Sequence, residues 1–195
     1  MMQVLLIHAG PTPWDIDDRI TGAENLPLTP EAIPPIQAVL GEHHLFIPDA
    51  VYCPRGNDAC QEVAKMVAEQ TGQRIRFEDA FSEMKLGLWE GLTRDQVRHR
   101  YPSVTQQWQD HPQQVLPPDG ESMVTVVDRV YPVLVKMERK YRDKKVIVVL
   151  RPLIMAIVAG ILRGRTMRDF AADLTTRRSH DLIEVAGLPQ REAIG

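Results

Sequence analysis

Leu5-Leu6-Ile7-His8-Ala9-Gly10-Pro11-Thr12-Pro13-Trp14-Asp15 decides how the rest of the chain is read. The apolar run from Val4 to Ile7 is short enough for a buried strand of a parallel sheet. Gly10 and two prolines then break it, so a loop begins at the carboxyl end of the strand. In open α/β sheets that edge is where ligands bind.

Working outward, apolar strand patterns alternate with helical ones. Asp49–Cys53, Arg74–Phe77, Val146–Leu150 and Asp181–Val185 read as strands, with Val146–Leu150 the most apolar and therefore central. A helix is expected to begin near Pro34 and Pro35 and to run to about Leu40, with a proline in its first turn. Asn57–Gln70 places Ala59, Val63, Met66 and Val67 at helical spacing and stops at Gly72. Glu121–Tyr141, Leu153–Leu162 and Met167–Leu174 complete the helices. Residues 79–119 are less regular, with two short helical patches at Arg94–Arg100 and Val104–Asp110, and read as a cap or insertion over one end of the sheet. The pattern predicts a three-layer α/β/α sandwich with a mostly parallel central sheet, forming a single domain over residues 1–195.

Composition narrows the function classes. The 195 residues are 44% hydrophobic and 25% charged, with a net charge of −3, so no electrostatic case exists for nucleic acid or an anionic membrane surface. No apolar run is long enough to span a bilayer, and no basic region precedes the first apolar run, so a cytoplasmic protein without a signal peptide is expected. Cys53 and Cys60 are too far apart for a Cys-x-x-Cys motif and read as free thiols. His43-His44 reads as an exposed turn with no third ligand nearby, so neither a metal nor a cofactor is expected.

The opening stretch resembles the signature of the histidine phosphatase (phosphoglycerate mutase-like) superfamily, roughly Leu-Ile-Arg-His-Gly-Glu-Thr-x-Trp-Asn. Further blocks follow in the family's order. They are Arg19-x-Thr21-Gly22, Pro27-Leu28-Thr29, Val51-Tyr52 with Ala59-x-Gln61, Glu83 ahead of Gly87-Leu88-Trp89-Glu90-Gly91-Leu92-Thr93, and Pro118-Asp119-Gly120-Glu121-Ser122 before a long helix. The resemblance implies a phosphoglycerate mutase-like fold. It also implies phosphoryl transfer to a histidine, with arginines and a second histidine stabilising charge and a carboxylic acid protonating the leaving oxygen.

The positions that carry this chemistry are altered. By alignment with the signature, the nucleophile is Ala9, the first phosphate-binding arginine is His8 and the second is Asp58. The second histidine is Arg151, followed by Pro152 where the family has glycine, and the asparagine after the tryptophan is Asp15. Glu83 remains at the acid position. A candidate pocket of His8, Asp15, Arg19, Thr21, Gly22, Asp58, Glu83 and Arg151 is close to neutral, which disfavours a phosphate dianion.

The expectation is therefore a catalytically inactive relative, a pseudoenzyme, with a binding or regulatory role toward a protein partner or a small anionic ligand. The alternative is an active phosphatase or mutase that uses His8 as nucleophile and Glu83 as general acid. Arg151 is expected to pair with Asp58 or Glu83, and Trp14, Trp89 and Trp108 to serve packing.

Overall fold

The computed structural model describes residues 1–170 and 178–195. The strands are β1 (Met2–His8), β2 (Ala50–Cys53), β3 (Ile75–Phe77), β4 (Lys145–Leu150) and β5 (His180–Val185). They form one sheet in the order β3-β2-β4-β1-β5. β1 pairs in parallel with β4, β4 with β2 and β2 with β3, whereas β5 runs antiparallel to β1. The most apolar strand is thus the central one, as its composition requires of a strand covered on both faces.

The helices are α1 (Pro13–Ile16), α2 (Ile33–Glu42), α3 (Asp58–Thr71), α4 (Arg94–Arg100), α5 (Pro102–Asp110), α6 (Met123–Lys140) and α7 (Pro152–Leu162). Their ends follow local chemistry. Pro34 and Pro35 sit in the first turn of α2, where their missing N–H groups cost nothing. Asn57 caps α3 by accepting the Cys60 N–H at 2.9 Å, and Gly72 closes it with φ +70°. Ser122 caps α6 by accepting the Thr125 N–H. α5 begins at Pro102, two residues ahead of its expected start, because a proline is well suited to a first turn. The expected helix from Met167 is helical over 167–170, and its remainder, 171–174, lies outside the described residues.

Side chains alternate faces along β1, and the alternation divides the core. Val4 and Leu6, with Val146, Val148 and Leu150 of β4, pack with α6, α7 and the 79–119 segment. Leu5, Ile7 and Ala9, with Ile147 and Val149, pack with α2 and α3. This is a three-layer α/β/α sandwich with a mostly parallel sheet. Cys53 and Cys60 are free thiols buried in the α2/α3 layer. Among the described residues, no helix is long and apolar enough to cross a membrane.

Candidate functional site

Beyond β1 the chain turns through Gly10, which adopts φ +87° and faces the Ala32 methyl so closely that a built Cβ would stand 2.9 Å from it. α1 follows at once. The Thr12 N–H and hydroxyl both donate to Asp15 Oδ2, at 2.8 and 2.7 Å, and this one-turn clasp directs the Asp15 carboxylate toward β4. The next loop is stitched to the 87–93 block: Ile20 N–H donates to Leu92 O, and Gly91 N–H to Ile20 O. Gly22 has φ +53° and lies against the Glu90 carboxylate, which accepts the N–H groups of Ala23 and Leu86. These contacts explain why the two sequence blocks occur together.

At the carboxyl end of β4, Arg151 is almost wholly buried, with 1% of its surface exposed. Its Nη1 donates to Gly10 O at 2.6 Å and its Nη2 to Asp15 Oδ2 at 2.7 Å. The expected pairing of Arg151 with Asp58 or Glu83 is corrected here: the ion-pair partner is Asp15, because α1 turns that carboxylate inward. Burial opposes ionisation of Asp15, but the charge and hydrogen bond of Arg151, with the Thr12 bonds, hold its carboxyl below the ordinary value of 3.8.

Glu83 is buried at the start of α7. Its Oε1 accepts the N–H groups of Met84 and Ile154, and its Oε2 accepts that of Leu153, all within 2.7–2.9 Å. The carboxylate thereby fills the N-terminus of α7, where an oxyanion would otherwise find donors and the positive end of a helix dipole. Burial pushes its carboxyl up to about 7, against the pull of those N–H groups and of Arg151. Arg129 of α6 secures the approach to Glu83 by donating to the carbonyls of Ala80 and Ser82 and pairing with Glu121.

A cavity of about 480 Å³ opens over this edge of the sheet. Of the expected site residues it gathers Asp15, Arg19, Thr21, Gly22, Glu83 and Arg151. His8 and Asp58 are not among its lining residues. His8 ends β1, and its Nδ1 accepts the Gly10 N–H at 3.3 Å. Asp58 is exposed at the start of α3, its N–H bound to Asn25. Ala9, which the sequence signature aligns with the nucleophile, has no exposed surface and packs in the α2/α3 layer.

The cavity also recruits residues that the sequence reading left aside: Arg94, Val97 and Arg98 from α4, Trp108 from α5, Leu86 and Leu153. The i, i+4 spacing of Arg94 and Arg98 was the available signal, since it puts both on one helix face. Trp89 and Trp108 meet edge to face at 5.8 Å and both line the cavity, so they combine packing with a place on its wall. Arginines outnumber carboxylates on the lining: Arg19, Arg94, Arg98 and Arg151 stand against Asp15 and Glu83. Arg19, Arg94 and Arg98 are in turn ion-paired with Asp17, Asp18 and Asp95 just outside the lining, so the cations that α4 adds are largely balanced. Thr21 Oγ1, Trp89 Nε1 and Arg151 Nε are buried in this lining without a hydrogen-bond partner among the described residues.

The expectation that His43-His44 lacks a third ligand is also corrected. The antiparallel pairing of β5 with β1 brings His180 beside Glu42 and His43.

The sequence profile of the histidine phosphatase superfamily (branch 1) matches residues 4–180. The chain is 27% identical over 119 residues to phosphoserine phosphatase 1 of Hydrogenobacter thermophilus, covering 61% of this chain and 56% of that protein. It is 28% identical over 140 residues to the probable phosphoglycerate mutase GpmB of Salmonella arizonae, covering 69% and 62% respectively. The matches thus span about three-fifths of these relatives' own lengths. Among solved structures, YhfR of Bacillus stearothermophilus superposes with a TM-score of 0.83 at 20% identity, covering 96% of this chain and 93% of that one. Mycobacterial glucosyl-3-phosphoglycerate phosphatase in complex with vanadate superposes with a TM-score of 0.79 at 21% identity, covering 87% and 86%. A profile match over nearly the whole chain, on a mostly parallel sheet as expected and with the motif blocks stitched to one another around the cleft, identifies the chain as a member of the histidine phosphatase superfamily, branch 1.

Proposed function

We propose that this protein is a non-catalytic member of its family that binds a small ligand carrying an anionic group on an apolar body. The observation that carries the reading is the closed interior of the site. Arg151 is engaged by Asp15, the α7 N-terminus is filled by Glu83, and the nucleophile position is an alanine buried in the opposite layer. Among the described residues no imidazole lines the cavity, so phosphoryl transfer to a cavity histidine has no acceptor among them. What the cavity offers instead is apolar wall from Leu86, Trp89, Val97, Trp108 and Leu153, arginines at Arg19, Arg94 and Arg98, and buried polar atoms awaiting an acceptor.

One observation favours a second reading. A carboxyl titrating near 7 beside a cleft suits a general acid, and Glu83 has that property. In that reading His8 would be the nucleophile and would have to reach the cavity from the end of β1.

Hydrolysis of 4-nitrophenyl phosphate between acid and neutral pH separates the two. The expected result is no turnover by the natural chain and no rescue by Ala9→His, with inorganic phosphate or vanadate bound no more tightly than about millimolar. Turnover that Glu83→Gln abolishes, or micromolar vanadate affinity, would overturn the proposal.

The ligand class has its own check. An anilinonaphthalene sulfonate combines an anionic group with an apolar body, and saturable binding is expected. Arg98→Ala should weaken it roughly tenfold, the loss of one charge-assisted contact of about 1.5 kcal/mol. An affinity unchanged by that substitution would place the dye elsewhere.

A further inference from the structure

We propose that Glu42, His43 and His180 form a binding site for a single zinc ion, or a first-row divalent ion of similar chemistry, that joins the end of α2 to the start of β5. Glu42 and His43 are neighbours in the chain, His180 is distant from both, and none of the three lines the cavity. One candidate ligand atom from each lies within 4.8 Å of the other two. His180 Nε2 stands 3.6 Å from Glu42 Oε1, and His43 Nε2 stands 4.0 Å from the same oxygen. Ligands held at about 2.0–2.1 Å on a tetrahedral ion are separated by roughly 3.4 Å, so the atoms need to close by up to about 1.4 Å.

Independent features of the surroundings suit ligation. His43 Nε2 is buried with no hydrogen-bond partner among the described residues, an orphan that a metal ion would satisfy. His180 Nδ1 lies 3.1 Å from Ser179 Oγ. With the proton on Nδ1 and donated to that hydroxyl, the Nε2 lone pair is presented toward Glu42, which is the usual outer-shell arrangement of a metal-bound histidine. The imidazole rings meet edge to face with centroids 4.7 Å apart. Two imidazoles and one carboxylate select zinc and its first-row neighbours over magnesium or calcium, which prefer oxygen ligands. Glu42 is exposed, so the fourth position faces solvent and is open to water.

The site is anchored on both sides. Glu42 and His43 end α2, the latter as its C-terminal cap, and His180 pairs with Ile7 across the β1–β5 ladder. An ion here would tie the antiparallel edge strand to the helix on one face of the sheet and would stabilise the folded chain by mass action.

The test is a zinc titration of the full chain in competition with a chromophoric chelator, with thermal unfolding as a second readout. The expected result is one zinc per chain with micromolar or tighter affinity. The unfolding midpoint should rise by about 5–10 °C at zinc roughly a hundredfold above its dissociation constant. Glu42→Gln and His180→Ala should each weaken binding at least about tenfold, as much as the loss of an outer-shell partner costs elsewhere. Glu42→Gln replaces an exposed side chain and should unfold at the natural chain's midpoint in chelator, which separates ligand loss from misfolding. No saturable uptake at up to about 0.1 mM zinc overturns the proposal, as does uptake that survives both substitutions unchanged.

Discussion

Replacing Arg151 with methionine should destabilise the fold by about 3–5 kcal/mol, the cost of stranding one partner of a buried ion pair. Arg151 has 2% of its side chain exposed and Asp15 has 16%, so water reaches the pair only from the Asp15 side. Removing the guanidinium leaves the Gly10 carbonyl and the Asp15 carboxylate without their donor at the bottom of the cleft. Methionine fills much of the volume, so the loss is chiefly electrostatic rather than a cavity. Adding Asp15→Asn should recover part of the loss. The amide oxygen can still accept from Thr12, and no buried charge is left unpaired. Urea unfolding of the two single variants and the double variant forms a cycle, with an expected coupling of about 1–3 kcal/mol. A methionine variant within about 1 kcal/mol of the natural chain would show that the pair does not hold the site together.

This pair also marks where the sequence stopped being informative. The strands, the central place of the most apolar one and the helix stop at Gly72 are local signals, and the structure carries each of them out. The motif blocks were legible because each is contiguous, and their mutual contacts, such as Gly22 against Glu90, explain their joint occurrence. The partner of Arg151 was not legible. It depends on which way a one-turn helix aims Asp15, a direction set by the Thr12 clasp and not by distance along the chain. The place of Arg94 and Arg98 on the lining was missed because they belong to a helix outside every motif, and only its packing brings it to the cleft. The same holds for His180, which meets His43 through a strand whose antiparallel direction no local pattern specifies. Conversely, alternation along β1 puts Ala9 in the layer of Leu5 and Ile7, so its environment follows from strand period alone.

Glu83 should give the fold an unusual pH dependence. Its carboxyl sits at about 7 in the folded chain against an ordinary 4.5. Between those values the folded chain holds a proton that the unfolded chain has released. The contribution of this group is therefore fully present below about 4.5 and is lost as pH rises through about 7. A difference of that size corresponds to about 3 kcal/mol between pH 5 and pH 8. Asp15 acts in the opposite sense. Its lowered value contributes stability that is present above 3.8 and lost as pH falls through the folded value, so the two groups together favour a mildly acidic optimum. Glu83→Gln removes the titration but sets an amide NH₂ where one carboxylate oxygen accepted a backbone N–H, leaving buried donors face to face at a cost of about 1–3 kcal/mol. Glu83→Ala strands the N–H groups of Met84, Leu153 and Ile154 and should cost more, about 3–5 kcal/mol. Urea unfolding at pH 5 and pH 8 distinguishes these effects: the natural chain should lose about 3 kcal/mol more over that interval than Glu83→Gln does. Equal pH dependence in the two proteins would mean that the α7 N-terminus and Arg151 keep Glu83 ionised throughout, with its charge and not its proton closing the site.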